Sequence, residues 1–388
     1  MIKNRIADEI LQARTLPRKE DMRGCYYRDQ TAILHSKPFR RLKHKTQVFF
    51  NPDDDHICTR IEHVLHVATV SATICRGLNS KKEAGWQLNE DLAYAISLGH
   101  DLGHTPFGHA GEAALSRYLG GHGKFIHEVN SYRVVEKLVE RGHGLNLTYA
   151  VKDGIICHNG EKFEQSIKPD FTVKDLDAID SRRHLPSTYE GAIVRFSDKI
   201  AYLGRDIEDA MVAGFIDKKD IPLNIRKKIG ESNSDIINYL VNDLVAHSSE
   251  EAIAVSEEAH ELMLELRKFN YKHIYGHPQQ LEIERSCEKI IATLFEYLFE
   301  IQNRFNWETA RYRGTPKLVI DNYFVDYLKT MRPFYLKEAA EKSYNSEEMG
   351  KQIVADYLSG MTDRFTLECM HEISLPPAIK FRLGKGTF

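Results

Sequence analysis

Apolar residues three and four apart recur along almost the whole chain, and the strict alternation of half-buried strands is scarce. This periodicity predicts helices over residues 58–78, 91–100, 110–119, 128–141, 192–213, 234–247, 250–270, 280–304 and 321–329. The expected fold class is therefore all-α, mainly helical, with at most a short β-hairpin. Gly142, Gly214 and Gly276 stand where helices should stop, and Pro222, Gly230, Ser232 and Asn233 form a polar break before a helix that begins near Ser234. The stretch from Gly144 to Ser187, with Thr148-Tyr-Ala-Val151 and several Pro, Asp and His residues, is expected to be irregular and to carry the hairpin.

At 388 residues, 42% apolar and 28% charged, the chain can bury one large core or two smaller ones, and composition alone names no function. A net charge of −3 gives no global attraction to nucleic acid, but Arg40, Arg41, Lys43 and Lys45 cluster locally and suit an anion site better than a general polyanion surface. The six cysteines include no Cys-x-x-Cys pair, and no apolar run approaches a signal peptide or a membrane span. The expected compartment is the reducing cytoplasm, with no membrane partner.

The chemistry concentrates in Leu98-Gly-His-Asp-Leu-Gly-His-Thr-Pro-Phe-Gly-His109, between an upstream Arg60-x-x-His63 and a downstream Asp198-Lys199. On the 58–78 helix, Glu62, His66, Thr69, Thr73 and Arg76 form a polar stripe, whereas His63 shares the apolar side with Val67, Val70 and Ile74. A lone histidine there would be a satisfied core residue. The His100-Asp101 pair at the end of another helix changes that, because Gly99 and Gly103 let backbones approach closely and two ligand types become available together. On the 192–213 helix, Asp198, Tyr202, Arg205, Asp206 and Asp209 form one side and Ile200, Leu203, Ile207 and Ala210 the other, a pattern that a solvated charged face would also give.

His109 and Glu112 are three apart at an expected helix start, so the carboxylate can orient the imidazole and raise its pKa; His109 is the leading candidate for a general acid. Arg60 and Lys199 each carry fixed charge close to a candidate metal ligand and are candidates to hold phosphate. The chain has no Gly-x-x-x-x-Gly-Lys loop, no Gly-x-Gly-x-x-Gly after a strand and no Gly-x-Ser-x-Gly elbow, so phosphates must be held by side chains and metal.

These motifs resemble the HD phosphohydrolase superfamily, and Ser36-Lys-Pro-Phe-Arg-Arg-Leu-Lys-His-Lys-Thr-Gln-Val48, Thr59-Arg-Ile-Glu-His63 and Asp198-Lys-Ile-Ala-Tyr-Leu-Gly-Arg-Asp206 narrow the likeness. They are similar to the bacterial deoxyguanosine-triphosphate triphosphohydrolases and their less selective dNTPase relatives, densely from about Arg28 to Asp209 and thinly beyond about Tyr275. The resemblance implies one divalent ion per site (Mg, Mn, Fe, Co, Ni or Zn) held by His63, His100, Asp101 and Asp198. It implies phosphate contacts from Lys199 and His104, and sugar contacts from Tyr202 and Asp206. Gln47 would lie near base and sugar, and Tyr271 and Lys272 in Phe269-Asn-Tyr-Lys-His-Ile-Tyr275 against the nucleotide. His127 would be a further catalytic histidine, although His127-Glu-Val-Asn-Ser stands where the family usually has His-Asn-x-Gln-Ser.

The implied reaction converts a dNTP, dGTP first, to deoxynucleoside and inorganic triphosphate. The implied organisation is an N-terminal arm and HD catalytic core over 1–215 and a helical region over 216–388 that completes the pocket and makes oligomer contacts, in one compact unit. A homo-oligomer, hexamer or tetramer, and a nucleotide effector are implied as well. Two rivals remain: another HD-type nucleotide phosphohydrolase or phosphodiesterase, and a nucleotide-sensing or single-stranded-DNA-binding protein motivated by the Arg40–Lys45 cluster.

Overall fold

The structure is a computed structural model that describes residues 1–19, 22–50, 56–119, 124–309, 311 and 318–375. Its longer helices are α1 (Cys25–His35), α2 (Arg60–Asn79), α3 (Glu90–Gly99), α4 (His109–Tyr118), α5 (His127–Arg133), α6 (Tyr149–Ile156) and α7 (Tyr189–Val212). They continue with α8 (Asn233–His247), α9 (Glu257–Asn270), α10 (Pro278–Phe305), α11 (Val319–Lys342), α12 (Ser346–Ser359) and α13 (Asp363–Ser374). The mainly helical class holds, and no described helix is long and apolar enough to cross a membrane.

Starts of the site-bearing helices are locally encoded. Thr59 and Glu62 form a reciprocal capping box at α2, the Asn89 side chain accepts from Leu92 N at α3, and the Thr188 hydroxyl accepts from Gly191 N at α7. Packing then decides the rest: α2, α3 and α7 pack against one another, with α1 and α6 on α3 and α8 on α7. Val64, Val67, Ile74, Ile96, Ile193 and Phe196 are all fully buried in this first core. A second core forms where α10 packs on α4, α12 and α13, around Ile291, Leu294, Phe295, Phe324, Leu328 and Leu358.

The cores do not follow a division at residue 215. Ile216, Ile225, Leu240, Met263 and Ile274 pack in the first core, while Phe107, Ala114 and Leu115 pack in the second. The two are interleaved, and the segment from Asp101 to His109 lies at their junction.

Four expected elements are corrected. The helix expected over 128–141 ends at Arg133, gives way to a π turn over Val134–Leu138, and contains positive φ at Glu140 and Arg141. Leu145 N takes the Val135 carbonyl at 2.7 Å, which removes the acceptor that a continuing α-helix would need. The helix expected from 250 begins at Glu257, because the Ser256 hydroxyl caps Ala259 N and is itself held by Asp243. The Thr148–Val151 run opens helix α6 rather than a hairpin, and Ser166–Ile167 pairs antiparallel with the distant Ile253–Ala254. The helix expected over 321–329 extends across Val319–Lys342 with Pro333 inside it.

Candidate metal centre and cavity

α2 turns His63 inward from its apolar face, α3 delivers His100 at its C-terminal end with Asp101 next, and α7 supplies Asp198. His63 Nε2 lies 3.0 Å from Asp198 Oδ1 and 3.9 Å from Asp101 Oδ2; His100 Nε2 lies 3.5 Å from Asp101 Oδ1 and 3.8 Å from Asp198 Oδ1. His100 Nδ1 sits 2.6 Å from Ser97 O, which fixes the tautomer that leaves a lone pair on Nε2. That buried nitrogen has no hydrogen-bond partner among the described residues.

Charge at the cluster is consistent with this use. Burial opposes ionisation of Asp101, but His104, His100 and Arg60 hold its carboxyl well below the usual range. Burial likewise opposes ionisation of Asp198, and the hydrogen bond and charge of His63 with the charge of His100 bring it down to about 2. Gly160 stands so close that a Cβ there would lie 2.2 Å from Asp198 Oδ2, so only glycine leaves that carboxylate its place. Two imidazoles and two ionised carboxylates converging on an orphaned lone pair fit a divalent ion.

A second group lines the approach. His104 Nε2 is 3.2 Å from Asp101 Oδ1, and its ring stacks on His127 at 3.8 Å between centroids. Glu112 serves two histidines: its Oε2 lies 3.5 Å from His109 Nδ1 and 3.0 Å from His127 Nδ1. Burial opposes protonation of His127, while Glu128 and Glu112 raise it to about 9. His109 is largely exposed at the mouth of the cavity. Gly103 allows this closeness, since a Cβ there would lie 2.1 Å from Ser131 N in α5.

These groups open onto a cavity of about 450 Å³ between the two cores. Arg60, His63, Asp101, His104, His109, His127 and Asp198 line it together with Gln47, Phe50, Phe107, Gln280, Ile283 and Glu284. Tyr202, Asp206, Tyr271 and Tyr275 lie along the wall, with Tyr275 Oη donating to Asp206 Oδ2 at 2.5 Å. Burial pushes Asp206 up to about 7.

The structure therefore brings together His63, His100, Asp101, Asp198, Arg60, His104, His109, Glu112, His127, Gln47, Tyr202, Asp206 and Tyr271. It does not bring Lys199 or Lys272 to the cavity, and both expectations are corrected. One step past Asp198 on a helix is a rotation of about 100°. Accordingly Lys199 Nζ is buried elsewhere, 3.0 Å from Glu164 Oε2 and beside Arg195, and burial with these neighbours puts it at about 8. Lys272 is exposed outside. Of the basic cluster, Arg40, Arg41 and Lys43 are exposed away from the cavity, and Lys45 is committed to the carbonyls of His104 and Ser359.

Other residues escaped the sequence reading. Arg182 pairs with Glu112 at 3.0 Å, Glu128 at 2.7 Å and Glu161 at 2.9 Å. Asp363 accepts from Thr46 N at 2.8 Å and Phe107 N at 3.0 Å. His158 lies buried beside His100, and Tyr275 and Gln280 complete the cavity wall. Only His158 carried a signal, a histidine followed by Asn159 and Gly160 within a stretch that gave no periodicity.

Comparison with known proteins matches the HD domain family over residues 60–202 and the phosphohydrolase-associated domain over 253–322 and 306–372. A deoxyguanosinetriphosphate triphosphohydrolase-like protein of Caldanaerobacter subterraneus subsp. tengcongensis is 36% identical over 360 residues, covering 92% of this chain and 87% of the relative. One from Desulfatibacillum aliphaticivorans is 36% identical over 362 residues, covering 92% and 89%. Another, from Clostridium perfringens, is 33% identical over 383 residues, covering 97% and 94%.

Proposed function

Because the chain belongs to the HD-domain family of deoxyguanosinetriphosphate triphosphohydrolase-like proteins, we propose that it hydrolyses deoxynucleoside triphosphates to deoxynucleoside and inorganic triphosphate, with dGTP the first substrate to test. The observation that carries the reading is the cavity of about 450 Å³, which has the size of a small-ligand site and is lined by the His/Asp cluster together with apolar, amide and carboxylate side chains. The cluster suits the phosphate end and the Gln47, Gln280, Glu284 wall suits a base.

In this reading His63, His100, Asp101 and Asp198 hold a divalent ion. When bound, that ion supplies Lewis acidity toward a phosphate oxygen and a water of lowered pKa. The chain's own groups do the remainder. Arg60, whose Nη1 lies 2.6 Å from Asp101 Oδ2 and whose Nε has no partner among the described residues, steadies that carboxylate and offers fixed positive charge to the phosphates. His104 and His127 extend the polar wall beside it. Tyr202 and Asp206 flank the sugar, and Tyr271 and Tyr275, packed edge to face, continue the wall beside them. As water adds to the α-phosphorus, the bond to the 5′-oxygen breaks and His109 delivers a proton to that oxygen; Glu112 holds the His109 ring in place.

A chromatographic assay with each dNTP and each of several divalent ions, run in ¹⁸O-water, tests this. The expected products are deoxynucleoside without label and triphosphate with label. Nucleoside monophosphate with pyrophosphate, or orthophosphate, as the primary product would overturn it. A homo-oligomer and a nucleotide effector belong to the same proposal, and sedimentation with and without dGTP tests both.

A further inference from the structure

We propose that Glu128 and Arg182 form a positioning pair, resting on the hydrolase reading above: they hold His127 as a standing cation toward the phosphate chain and leave proton delivery to His109. Arg182 lies in the segment between α6 and α7, and its planar guanidinium divides the oxygens of two acidic side chains from different helices. Its Nη2 donates to Glu112 Oε1 of α4 at 3.0 Å, and its Nε donates to Glu128 Oε1 of α5 at 2.7 Å. Each carboxylate then turns its other oxygen toward one atom: His127 Nδ1 lies 3.0 Å from Glu112 Oε2 and 3.5 Å from Glu128 Oε2. Glu128 Oε2 is buried without a hydrogen-bond partner among the described residues, so no donor there competes with the ring for it. Glu128 is also where this chain departs from the family pattern noted above, with a carboxylate in place of the usual Asn amide.

Several charged groups face the ring, and their sum decides its state. Burial opposes a charge on His127, and so does Arg182, whose Nη2 lies 3.3 Å from Nδ1. Glu128 and then Glu112, with Asp101 behind them, outweigh both and raise the imidazole to about 9. The neighbouring imidazoles do not compete for the charge. His104, stacked on His127 at 3.8 Å, is held well below its usual value by burial and by Arg60, and His158, with its centroid 5.3 Å away, is brought down to about 4 by burial and His100. With Nδ1 between two carboxylates, Nε2 is the nitrogen left for the cavity that His127 lines. An imidazolium there adds a second positive group to Arg60 for the phosphates. The third side of the Arg182 fork meets Glu161 Oε1 at 2.9 Å, and a lysine ammonium could not reproduce this planar division.

Calorimetric binding of inorganic triphosphate to the full chain in Mg²⁺ buffer, with steady-state hydrolysis of the dNTP turned over fastest, tests the pair. Glu128→Gln should bind triphosphate as the unaltered protein does at pH 6 but about tenfold more weakly at pH 8.5, because the ring loses its charge between those values. Its basic limb of kcat/KM should move to lower pH. Glu128→Asn should behave alike and serves if the first variant does not fold. Arg182→Ala should lower kcat/KM by about tenfold or more at both pH values, and Arg182→Lys should not restore it. The double variant Glu128→Gln with Arg182→Ala should exceed Arg182→Ala at pH 6, since the carboxylate that Arg182 balances is then gone. If the unaltered chain hydrolyses a dNTP, a Glu128→Gln affinity ratio that is equal at both pH values, or a double variant no better than Arg182→Ala, would overturn the pair alone. Neither triphosphate binding nor dNTP hydrolysis by the unaltered chain would overturn the hydrolase reading and the pair with it.

Discussion

Glu112 is shared by two histidines, and its position separates their duties. His109 is exposed to the cavity mouth and free to meet a leaving group, whereas His127 is buried and held protonated by Glu128 and Glu112. His109→Ala should therefore lower kcat by about 10²–10⁴-fold with bound metal retained. Glu112→Gln should lower it less and should also shift the basic limb of the pH profile, because His127 loses the same partner. Near-normal turnover of His109→Ala in a steady-state assay would move the acid role elsewhere. Asp101→Ala and Asp198→Ala should each lose most bound ion, by metal analysis, and nearly all hydrolysis. Asp206 gives a pH signature in the metal-free chain. Its folded pKa of about 7 exceeds the unfolded value of about 4, so its contribution is fully present below pH about 4 and is lost as pH rises through 7. Asp206→Asn should flatten the change of unfolding free energy across that window in urea titrations; an unchanged slope would refute the assignment.

The elements that hold the site come from distant parts of the chain. Asp363, the first residue of α13, fixes Thr46 and Phe107, and Lys45 ties His104 to the end of α12. Asp363→Ala leaves the buried Phe107 amide and the half-buried Thr46 amide without their acceptor, for a loss of about 1–3 kcal/mol in a urea titration. It should also raise KM, because the cavity-lining Gln47 directly follows the tethered Thr46; an unaltered KM would show that the tether does not position the substrate. Helix periodicity made α2, α3, α4, α7 and α10 legible, whereas His63, His100, Asp101 and Asp198 stood out as a set only through the resemblance to HD phosphohydrolases, since the stripe that carries Asp198 would also suit a solvated face. The same signal was silent on α6, whose eight residues are almost all buried and so show no polar face, and on the strand pair that joins residues 166 and 253. Lys199 was misassigned because adjacency along the chain was taken for adjacency in space, whereas consecutive helical residues point about 100° apart. Asp363 and Arg182 carry no local pattern at all; their meaning exists only once the helices are packed.

Across the whole molecule one ionic cluster links the regions that carry the two cores. Arg133, at the end of α5, bonds Glu338 at 2.5 and 2.7 Å and Asp356 at 2.7 and 2.9 Å, and Tyr335 Oη adds a bond to Asp356 at 2.8 Å. Removing the guanidinium strands two buried carboxylates, so Arg133→Met should cost about 3–5 kcal/mol by urea unfolding. Apolar replacement of all three residues should recover most of it. If the single and triple variants are equally unstable, the cluster is not what joins the regions. The side chains proposed to hold the metal are complete by Asp198, but the segment that carries His104 is tied down by Ser359 and Asp363, and one wall of the cavity is α10. A polypeptide made from its N-terminus passes through about 165 further residues, roughly 10–30 s of translation, between those two points. The nascent chain thus holds those side chains before the chamber that would use them is built.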